Sequence, residues 1–214
     1  MKPLKHPNIL AYIGVSESPD SLMLVLAFAK HGSLKDYLLL HIDQGGTKLK
    51  DRMKWCLDTA EGMAYLEKND VLHRDLACRN LLLNENMLVQ ISDFGMSRFL
   101  ADNEDIYTAQ KRGKWPMKWY APESINKLEF TRKSDVWSYG ITAWEILQEG
   151  EQPYAEWTAP QAHEAITRGH RMQCPYDCPD VFYASVLEKC WQYQPDDRPS
   201  FVQLCEVIRA ILAN

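Results

Sequence analysis

The sequence VLHRDLACRN at residues 71–80, followed by LLLNENMLVQI at residues 81–91 and SDFG at residues 92–95, decides the fold. Two polar clusters, His73-Arg74-Asp75 and Asp93-Phe94-Gly95, stand on either side of short apolar segments. Each cluster alone is typical of an exposed charge group or an ordinary turn. The two together at this separation indicate a functional site, in which loops carry the reactive side chains and short strands hold the loops.

Composition limits the class of protein. The chain has 214 residues, 46% of them hydrophobic and 25% charged, which predicts one globular domain with a sizeable core. The net charge of −5 gives no basic surface, so we expect neither nucleic acid nor an anionic membrane as a partner. No apolar run approaches the roughly 20 residues that span a bilayer, and the first residues lack the apolar core of a secretion signal. We therefore expect a soluble, intracellular chain.

The six cysteines favour reduced thiols over disulfides or a zinc site. Cys174 and Cys178 are close in sequence, but a second ligand pair at zinc spacing is missing. Cys78 lies within the stretch quoted above. For this residue a small buried side chain is the commoner role, and a reactive thiol is the alternative.

The pattern along the chain predicts mostly helix with a minor share of short strands. The apolar run at residues 22–28 predicts a buried strand, and Ser33 can cap a helix that begins at Leu34. Helical spacing of apolar residues over 49–67 predicts a long amphipathic helix ended by Asn69-Asp70. Short strands are predicted at residues 71–72, 81–83 and 88–91.

Residues 134–147 predict a different kind of helix, because apolar side chains cover almost its whole circumference. Such a helix belongs in the interior of a protein. Gly150 is expected to end it at the C′ position. Further helix boundaries are predicted at Thr158 with Pro160, at Gly169 and at Pro199.

The pattern H-R-D-L-x-x-x-N at residues 73–80, followed by D-F-G at residues 93–95, resembles the catalytic loop and metal-binding motif of protein kinases. The resemblance runs from about His6 to Ile211. It implies an α+β fold with a mainly helical C-lobe and a smaller N-lobe sheet. It also implies ATP and Mg²⁺ as cofactors.

Three features resemble tyrosine kinases in particular. Ala77 stands where serine/threonine kinases usually carry a lysine, and Arg79 follows two places later. The segment KWPMKWYAPE at residues 114–123 looks like the tyrosine-kinase peptide platform. With Gly113 before it, the segment is similar to the cytoplasmic Syk-type and Shark kinases. The resemblance therefore implies transfer of the ATP γ-phosphate to tyrosine hydroxyls of protein substrates, in the cytoplasm.

The resemblance assigns roles by position. Asp75 is the proton acceptor, Arg79 steadies the transferred phosphate, and Asn80 and Asp93 bind Mg²⁺. These roles suit phosphoryl transfer, in which an enzyme mainly positions groups and neutralises charge.

The adenine site follows from the same resemblance. Leu26 is expected at the back of the pocket, Leu82 at its floor, and the backbones of Ala27 and Ala29 as hinge partners of adenine. Apolar walls with a few backbone hydrogen bonds suit a purine. Periodicity alone would make Leu26 and Leu82 core residues and the alanines part of a connector.

Tyr107 stands where the family carries its activating phosphorylation. A phosphate there could pair with Arg74 and Arg98 and order the loop. The alternative is an exposed loop aromatic. Ile106 occupies the place of a second tyrosine in Syk-type loops, so tandem phosphorylation is not expected.

Three further residues match structural positions of the family. Glu123 and Arg198 correspond to a buried ion pair, and Asp135 to the residue that anchors the backbone of the catalytic loop. The alternative for all three is exposed surface charge.

The front of the chain departs from the family pattern. A glycine-rich loop, a strand lysine and a helix glutamate are not found before residues 6–10, HPNIL, which look like the entry to the fourth strand. We therefore expect residues 1–29 to be a remnant of the N-lobe with the hinge, and residues 30–214 to be the C-lobe. This predicts either a fragment of a longer gene product or a natural truncation.

Two functions remain open at this point. One is a tyrosine kinase, favoured for the parent protein because the four catalytic positions are intact. The other is a catalytically dead lobe that binds partners through residues 115–119, favoured for the 214 residues by themselves.

Overall fold

The computed structural model describes residues 4–18, 21–101, 104–111, 113 and 115–213. Lys114 of the predicted platform lies outside the described residues. So do residues 1–3, 19–20, 102–103, 112 and 214 of the two predicted domain ranges.

The larger part of the fold is helical. The helices are α1 (Leu34–His41), α2 (Leu49–Lys68), α3 (Pro122–Asn126), α4 (Arg132–Leu147), α5 (Ala159–Thr167), α6 (Asp180–Phe182), α7 (Glu188–Cys190) and α8 (Phe201–Leu212). A π-helical turn, Tyr183–Leu187, joins α6 to α7. The predicted cap of α1 is confirmed, since the Ser33 hydroxyl accepts the amide of Asp36. The predicted α+β class with a mainly helical lobe is confirmed as well.

The strands are short and form two-stranded antiparallel pairs. They are β1 (Tyr12–Ser18), β2 (Ser21–Leu26), β3 (Val71–Leu72), β4 (Leu81–Leu83), β5 (Val89–Ile91), β6 (Arg98–Phe99), β7 (Tyr107–Thr108) and β8 (Glu129–Phe130). The pairs are β1 with β2, β3 with β6, β4 with β5, and β7 with β8.

Within the predicted run at residues 22–28 a strand forms as far as Leu26, where β2 ends, but the prediction that the run is buried is wrong. Leu22 is 69% exposed, Leu24 68% and Phe28 86%. The physical reason is that β2 pairs with β1 in a lone hairpin, and no layer of the described residues packs on either of its faces. An apolar run indicates only that a strand can be buried. The layer that covers the strand must come from another part of the protein.

Helix α4 is the centre of the core. Trp137 and Tyr139, which lie on nearly opposite sides of it, are both fully buried. It packs against α2, which also packs against α8. The Tyr139 hydroxyl donates to the carbonyl of Cys56 on α2 at 3.0 Å. The predicted interior helix is therefore confirmed. Among the described residues, no helix is long and apolar enough to cross a membrane.

The ends of the helices follow the predicted signals with two shifts. The left-handed residue that directly follows the cap of α4 is Glu149, with φ of 53°, and Gly150 is the next residue. The amide of Gly150 bonds to the carbonyl of Glu145 at 2.7 Å, which satisfies the open end of the helix. Helix α8 begins at Phe201, after its N-cap Ser200, two residues beyond the predicted start at Pro199.

Gly140 lets α4 approach the segment that contains α7. A Cβ at this position would lie 2.6 Å from the Cβ of Cys190 and 2.6 Å from Nε1 of Trp191. The Cβ of Cys190 is fixed to its backbone, so a side-chain rotation cannot remove the clash.

We expect Gly140→Ala to destabilise the fold by about 1–2 kcal/mol, because overpacking outweighs the gain in helix propensity. Urea unfolding followed by circular dichroism measures this free energy. Gly14→Ala is the matched control, since a Cβ there meets nothing within 4 Å. Equal stability of the two variants would contradict the tight approach at Gly140.

Candidate active site

A buried carboxylate at the start of α4 fixes the loop before Asp75. Asp135 accepts the backbone amide of His73 at 2.8 Å and that of Arg74 at 3.0 Å. Burial raises the pKa of Asp135 to about 6, while the two amide hydrogen bonds favour its charged form. The loop backbone is therefore held by an acceptor from the centre of the core.

His73 links the two polar clusters of the sequence. Its Nε2 lies 3.0 Å from the carbonyl of Ser92, and its Nδ1 accepts the amide of Asp75 at 3.3 Å. The ring also contacts Phe94. Burial lowers the pKa of His73 to about 4, so the ring is neutral at physiological pH and has a structural role.

Asp75, Arg79 and Asn80 converge at the end of this loop. Arg79 Nη2 donates to Asp75 Oδ1 at 2.5 Å, and Asn80 Nδ2 donates to Asp75 Oδ2 at 3.0 Å. Burial raises the pKa of Asp75, and the charge of Arg79 acts in the opposite direction. The result is a half-buried carboxylate that is oriented by two donors.

Asp93 lies close enough to act on this group. Its carboxylate raises the pKa of Asp75 through repulsion and favours protonation of His73. Asp93 is exposed, has a left-handed φ of 57°, and accepts the amide of Gly95 at 3.3 Å. The two carboxylates therefore lie on the same side of the molecule.

The donor set at Asn80 and Asp93 fits a magnesium ion. Both protons of the Asn80 amide group are used, by the carbonyl and the carboxylate of Asp75. The amide oxygen of Asn80 is thus the acceptor left over. Together with the exposed carboxylate of Asp93 it offers the oxygen ligands that Mg²⁺ prefers.

The predicted adenine residues lie on the hairpin and the segment after it. The amide of Ala27 donates to Ala11 at 2.8 Å, and the carbonyl of Ala29 accepts from Gly32 at 3.2 Å. These bonds leave the carbonyl of Ala27 and the amide of Ala29 without a partner among the described residues. Leu26 is 46% exposed, as expected on an uncovered hairpin.

Leu82 lies beside the segment that follows the hairpin. It is half-buried in β4 and forms an isolated bridge with Ser33. The neighbouring Leu83 exchanges two backbone hydrogen bonds with this segment, from His31 at 3.1 Å and to Gly32 at 3.0 Å. The residue predicted to form the floor of the adenine pocket is thus next to a residue that is hydrogen-bonded to the segment after Ala29.

Tyr107 lies in a basic cluster. The guanidinium carbon of Arg74 is 4.5 Å from the centre of its ring, and that of Arg98 is 5.5 Å away. A hydrogen bond from Arg98 lowers the pKa of the Tyr107 hydroxyl. These groups line a cavity of about 320 Å³, which Lys111 also borders. The structure therefore brings together the three residues predicted to form the regulatory site.

Glu123 and Arg198 form a bidentate ion pair, with Nη1 to Oε1 at 2.6 Å and Nη2 to Oε2 at 2.9 Å. Arg198 is 1% exposed and also donates to the carbonyls of Gln192, Tyr193 and Lys133. This pair is therefore buried and fully hydrogen-bonded, and exposed surface charge does not describe it.

One buried acid at the site is not among the residues predicted from the sequence. Glu145, near the end of α4, is fully buried and accepts from the amide of Cys78 and the indole of Trp119. An acidic residue within the apolar stretch at residues 136–147 was the available signal, because a buried carboxylate needs hydrogen-bond partners.

Comparison with known proteins agrees with this geometry. A family profile described as protein tyrosine and serine/threonine kinase matches residues 1–208. The chain belongs to this kinase family. The predicted resemblance is confirmed on that basis.

The similar kinases are tyrosine-specific by name. The chain is 41% identical over 210 residues to tyrosine-protein kinase ZAP-70 of Homo sapiens, and the alignment covers 98% of this chain and 33% of that protein. It is 42% identical over 204 residues to tyrosine-protein kinase SYK of Gallus gallus, with coverage of 94% and 32%. It is 41% identical over 204 residues to tyrosine-protein kinase SRK3 of Spongilla lacustris, with coverage of 95% and 60%. The chain spans about a third of the length of the first two kinases.

We expect Arg79→Ala to move the acidic limb of the kcat profile to higher pH. The guanidinium favours the charged form of Asp75, so its removal raises the pKa of that carboxyl. A base acts only when it is deprotonated, and the limb therefore shifts upward. We also expect kcat to fall by on the order of 10²-fold. Steady-state kinetics over about four pH units around neutrality measures both effects.

Arg168→Ala is the control, because Arg168 forms an exposed pair with Glu164 on α5. Its acidic limb should match that of the unmodified kinase. A limb that stays in place in Arg79→Ala, or moves to lower pH, would show that Arg79 does not tune Asp75.

Proposed function

We propose that this protein is a tyrosine kinase that transfers the γ-phosphoryl group of ATP to tyrosine hydroxyls of protein substrates. The convergence of Arg79 and Asn80 on the carboxylate of Asp75 carries the proposal. The three similar proteins named above are tyrosine-protein kinases, which supports the choice of tyrosine.

Asp75 accepts the proton of the substrate hydroxyl. Asn80 holds Oδ2 at 3.0 Å and Arg79 holds Oδ1, so the carboxylate has one orientation. The raised pKa of Asp75 suits this role, because a base works best when its pKa lies nearer to the working pH. Arg79 is 37% exposed at its side chain, and it can contact the transferred phosphate while it stays paired with Asp75.

Asn80 and Asp93 would hold the magnesium ion. When bound, this ion neutralises charge on the phosphates of ATP. The left-handed backbone at Asp93 and the hydrogen bond from Gly95 orient its carboxylate, and the pairing with Asp75 orients the amide of Asn80. Two rigid loops therefore present the oxygen ligands.

The adenine ring would bind the free carbonyl of Ala27 and the free amide of Ala29. Leu26 and Leu82 would cover it with apolar surface. We propose residues 1–29 as the end of the N-lobe with the hinge, and residues 30–214 as the C-lobe. The hairpin of β1 and β2 is exposed, whereas Leu34 and Leu38 beyond it are fully buried, and this contrast supports the division.

We propose the cytoplasm as the place of action. All six cysteines lie among the described residues and carry free thiols, which suits a reducing compartment. Tyrosine-containing proteins are the proposed partners. The net charge of −5 gives no support to nucleic acid as a ligand.

We expect Asp75→Asn to lower the phosphorylation of a poly-Glu/Tyr peptide by on the order of 10³-fold, since it removes the proton acceptor. The fold should stay unchanged by circular dichroism. Incorporation of labelled phosphate by the complete protein measures the activity. Asp196→Asn, at an exposed carboxylate on a surface turn, should leave the activity as it was.

Two outcomes count against the proposal. Undiminished activity of Asp75→Asn would remove Asp75 from the mechanism. An unmodified protein without any activity would favour the other function, a binding lobe that uses residues 115–119.

We further propose that phosphorylation of Tyr107 activates the kinase. Arg74 is adjacent to Asp75 and is fixed by a hydrogen bond from its Nη1 to the carbonyl of Met96 at 2.9 Å. A phosphate adds about two negative charges and strong acceptors, so it can bind Arg74 and Arg98 together. The basic cluster that already surrounds the unmodified ring supports this role.

We expect Tyr107→Phe to abolish activation by prior phosphorylation and to leave kcat on the order of 10-fold below that of the phosphorylated protein. Kinetics before and after incubation with ATP measures the effect. Tyr176→Phe is the control, because Tyr176 is fully exposed. Normal activation of Tyr107→Phe would refute the regulatory assignment.

A further inference from the structure

Glu145 joins two parts of the site that are distant in sequence. Its Oε2 accepts the backbone amide of Cys78 at 3.0 Å and the indole N–H of Trp119 at 2.7 Å. Cys78 begins the 3₁₀ turn that contains Arg79 and Asn80, and Trp119 ends the 3₁₀ turn of the platform. One carboxylate oxygen therefore holds the catalytic loop and the platform at a fixed separation.

The surroundings of this carboxylate disfavour its charged form. Glu145 is 0% exposed, and burial raises its pKa. Its Oε1 is buried and has no hydrogen-bond partner among the described residues. An apolar side chain would avoid this desolvation but would leave the amide of Cys78 and the indole of Trp119 unpaired. The acid is thus explained by the two donors it holds.

Trp119 carries the connection on to the reacting groups. The guanidinium carbon of Arg79 lies 5.0 Å from the centre of the Trp119 ring. Arg79 in turn donates to Asp75 at 2.5 Å. The indole N–H of Trp119 donates to Glu145, and the backbone carbonyl of Trp119 accepts the hydroxyl of Ser138 at 2.8 Å. The ring is therefore a fixed surface on which Arg79 rests.

We propose that Glu145 is a positioning residue for phosphoryl transfer, which keeps Arg79 on Asp75 by fixing both the backbone at Cys78 and the ring of Trp119. This inference rests on the proposed kinase function. Small displacements matter at such a site, because a shift of about 1 Å can cost on the order of 10²-fold in rate.

The kinetic test is a double-mutant cycle between residue 145 and residue 79. Glu145→Leu removes the acceptor, and Arg79→Ala removes the group it is proposed to position. We expect Glu145→Leu to lower kcat by on the order of 10-fold in the otherwise unmodified protein, with the KM for ATP unchanged. In the Arg79→Ala background the same substitution should lower kcat by less than about 2-fold.

Assays run well below the melting temperature of each variant, so that every variant is folded. Thr142→Val is the matched control, because this buried hydroxyl on the same helix donates to Ser138 within α4 at 2.8 Å. It should leave kcat unchanged in both backgrounds. Glu145→Gln keeps an acceptor and the volume, and it should recover most of the kcat lost in Glu145→Leu. Equal losses from Glu145→Leu in both backgrounds would overturn the proposal.

Nuclear magnetic resonance gives a readout that does not need activity. In Glu145→Leu the amide of Cys78 should exchange faster with solvent, and the indole N–H signal of Trp119, identified with Trp119→Phe, should move. Thr142→Val should change neither. Unchanged signals in Glu145→Leu would overturn the inference by themselves. Changed signals in a protein without phosphate transfer would instead count against the proposed function.

Discussion

The site depends on the buried carboxylate of Asp135. It accepts two consecutive backbone amides, those of His73 and Arg74, from the first turn of the central helix. Arg74 has a left-handed φ of 67°, a conformation that costs a residue with a side chain of the order of 1 kcal/mol. The two hydrogen bonds to Asp135 and the bond from the Arg74 side chain to Met96 offset this cost. The turn that presents Asp75 is thereby tied to the core.

The central helix supplies a second buried carboxylate that accepts a backbone amide of the loop. Asp135 at its start holds the beginning of the catalytic loop, and Glu145 near its end holds the amide of Cys78. Both carboxylates are buried, and each satisfies amides that the loop itself cannot pair. A loop of irregular backbone can therefore lie against an apolar helix, since the helix supplies acceptors at the two places where the loop needs them. This explains how a segment with little regular structure can hold side chains in fixed positions.

Much of this arrangement could be predicted from sequence, because it is local. The spacing of residues 73–80 and 93–95 places the site on loops between short strands, helical periodicity locates α2, and apolar side chains around the whole circumference locate α4. Two errors have a common cause. The run at residues 22–28 is predicted to be buried but is exposed, and Glu145 is absent from the predicted site residues because it lies in an apolar helix. Both depend on what packs against the element. An apolar run does not show what covers a strand, and an acid in an apolar helix does not show which donors it meets.

Burial acts in opposite directions on His73 and Asp75, two titratable groups of the loop. It lowers the pKa of His73 to about 4 and raises the pKa of Asp75. Desolvation disfavours whichever form is charged, so the histidine is kept neutral while the carboxyl becomes a stronger base. A neutral His73 can accept the amide of Asp75 on one side and bond to Ser92 on the other, which a doubly protonated ring could not do. One physical effect thus gives adjacent residues different tasks: His73 fixes the distance between the two loops, and Asp75 is left available for the proton.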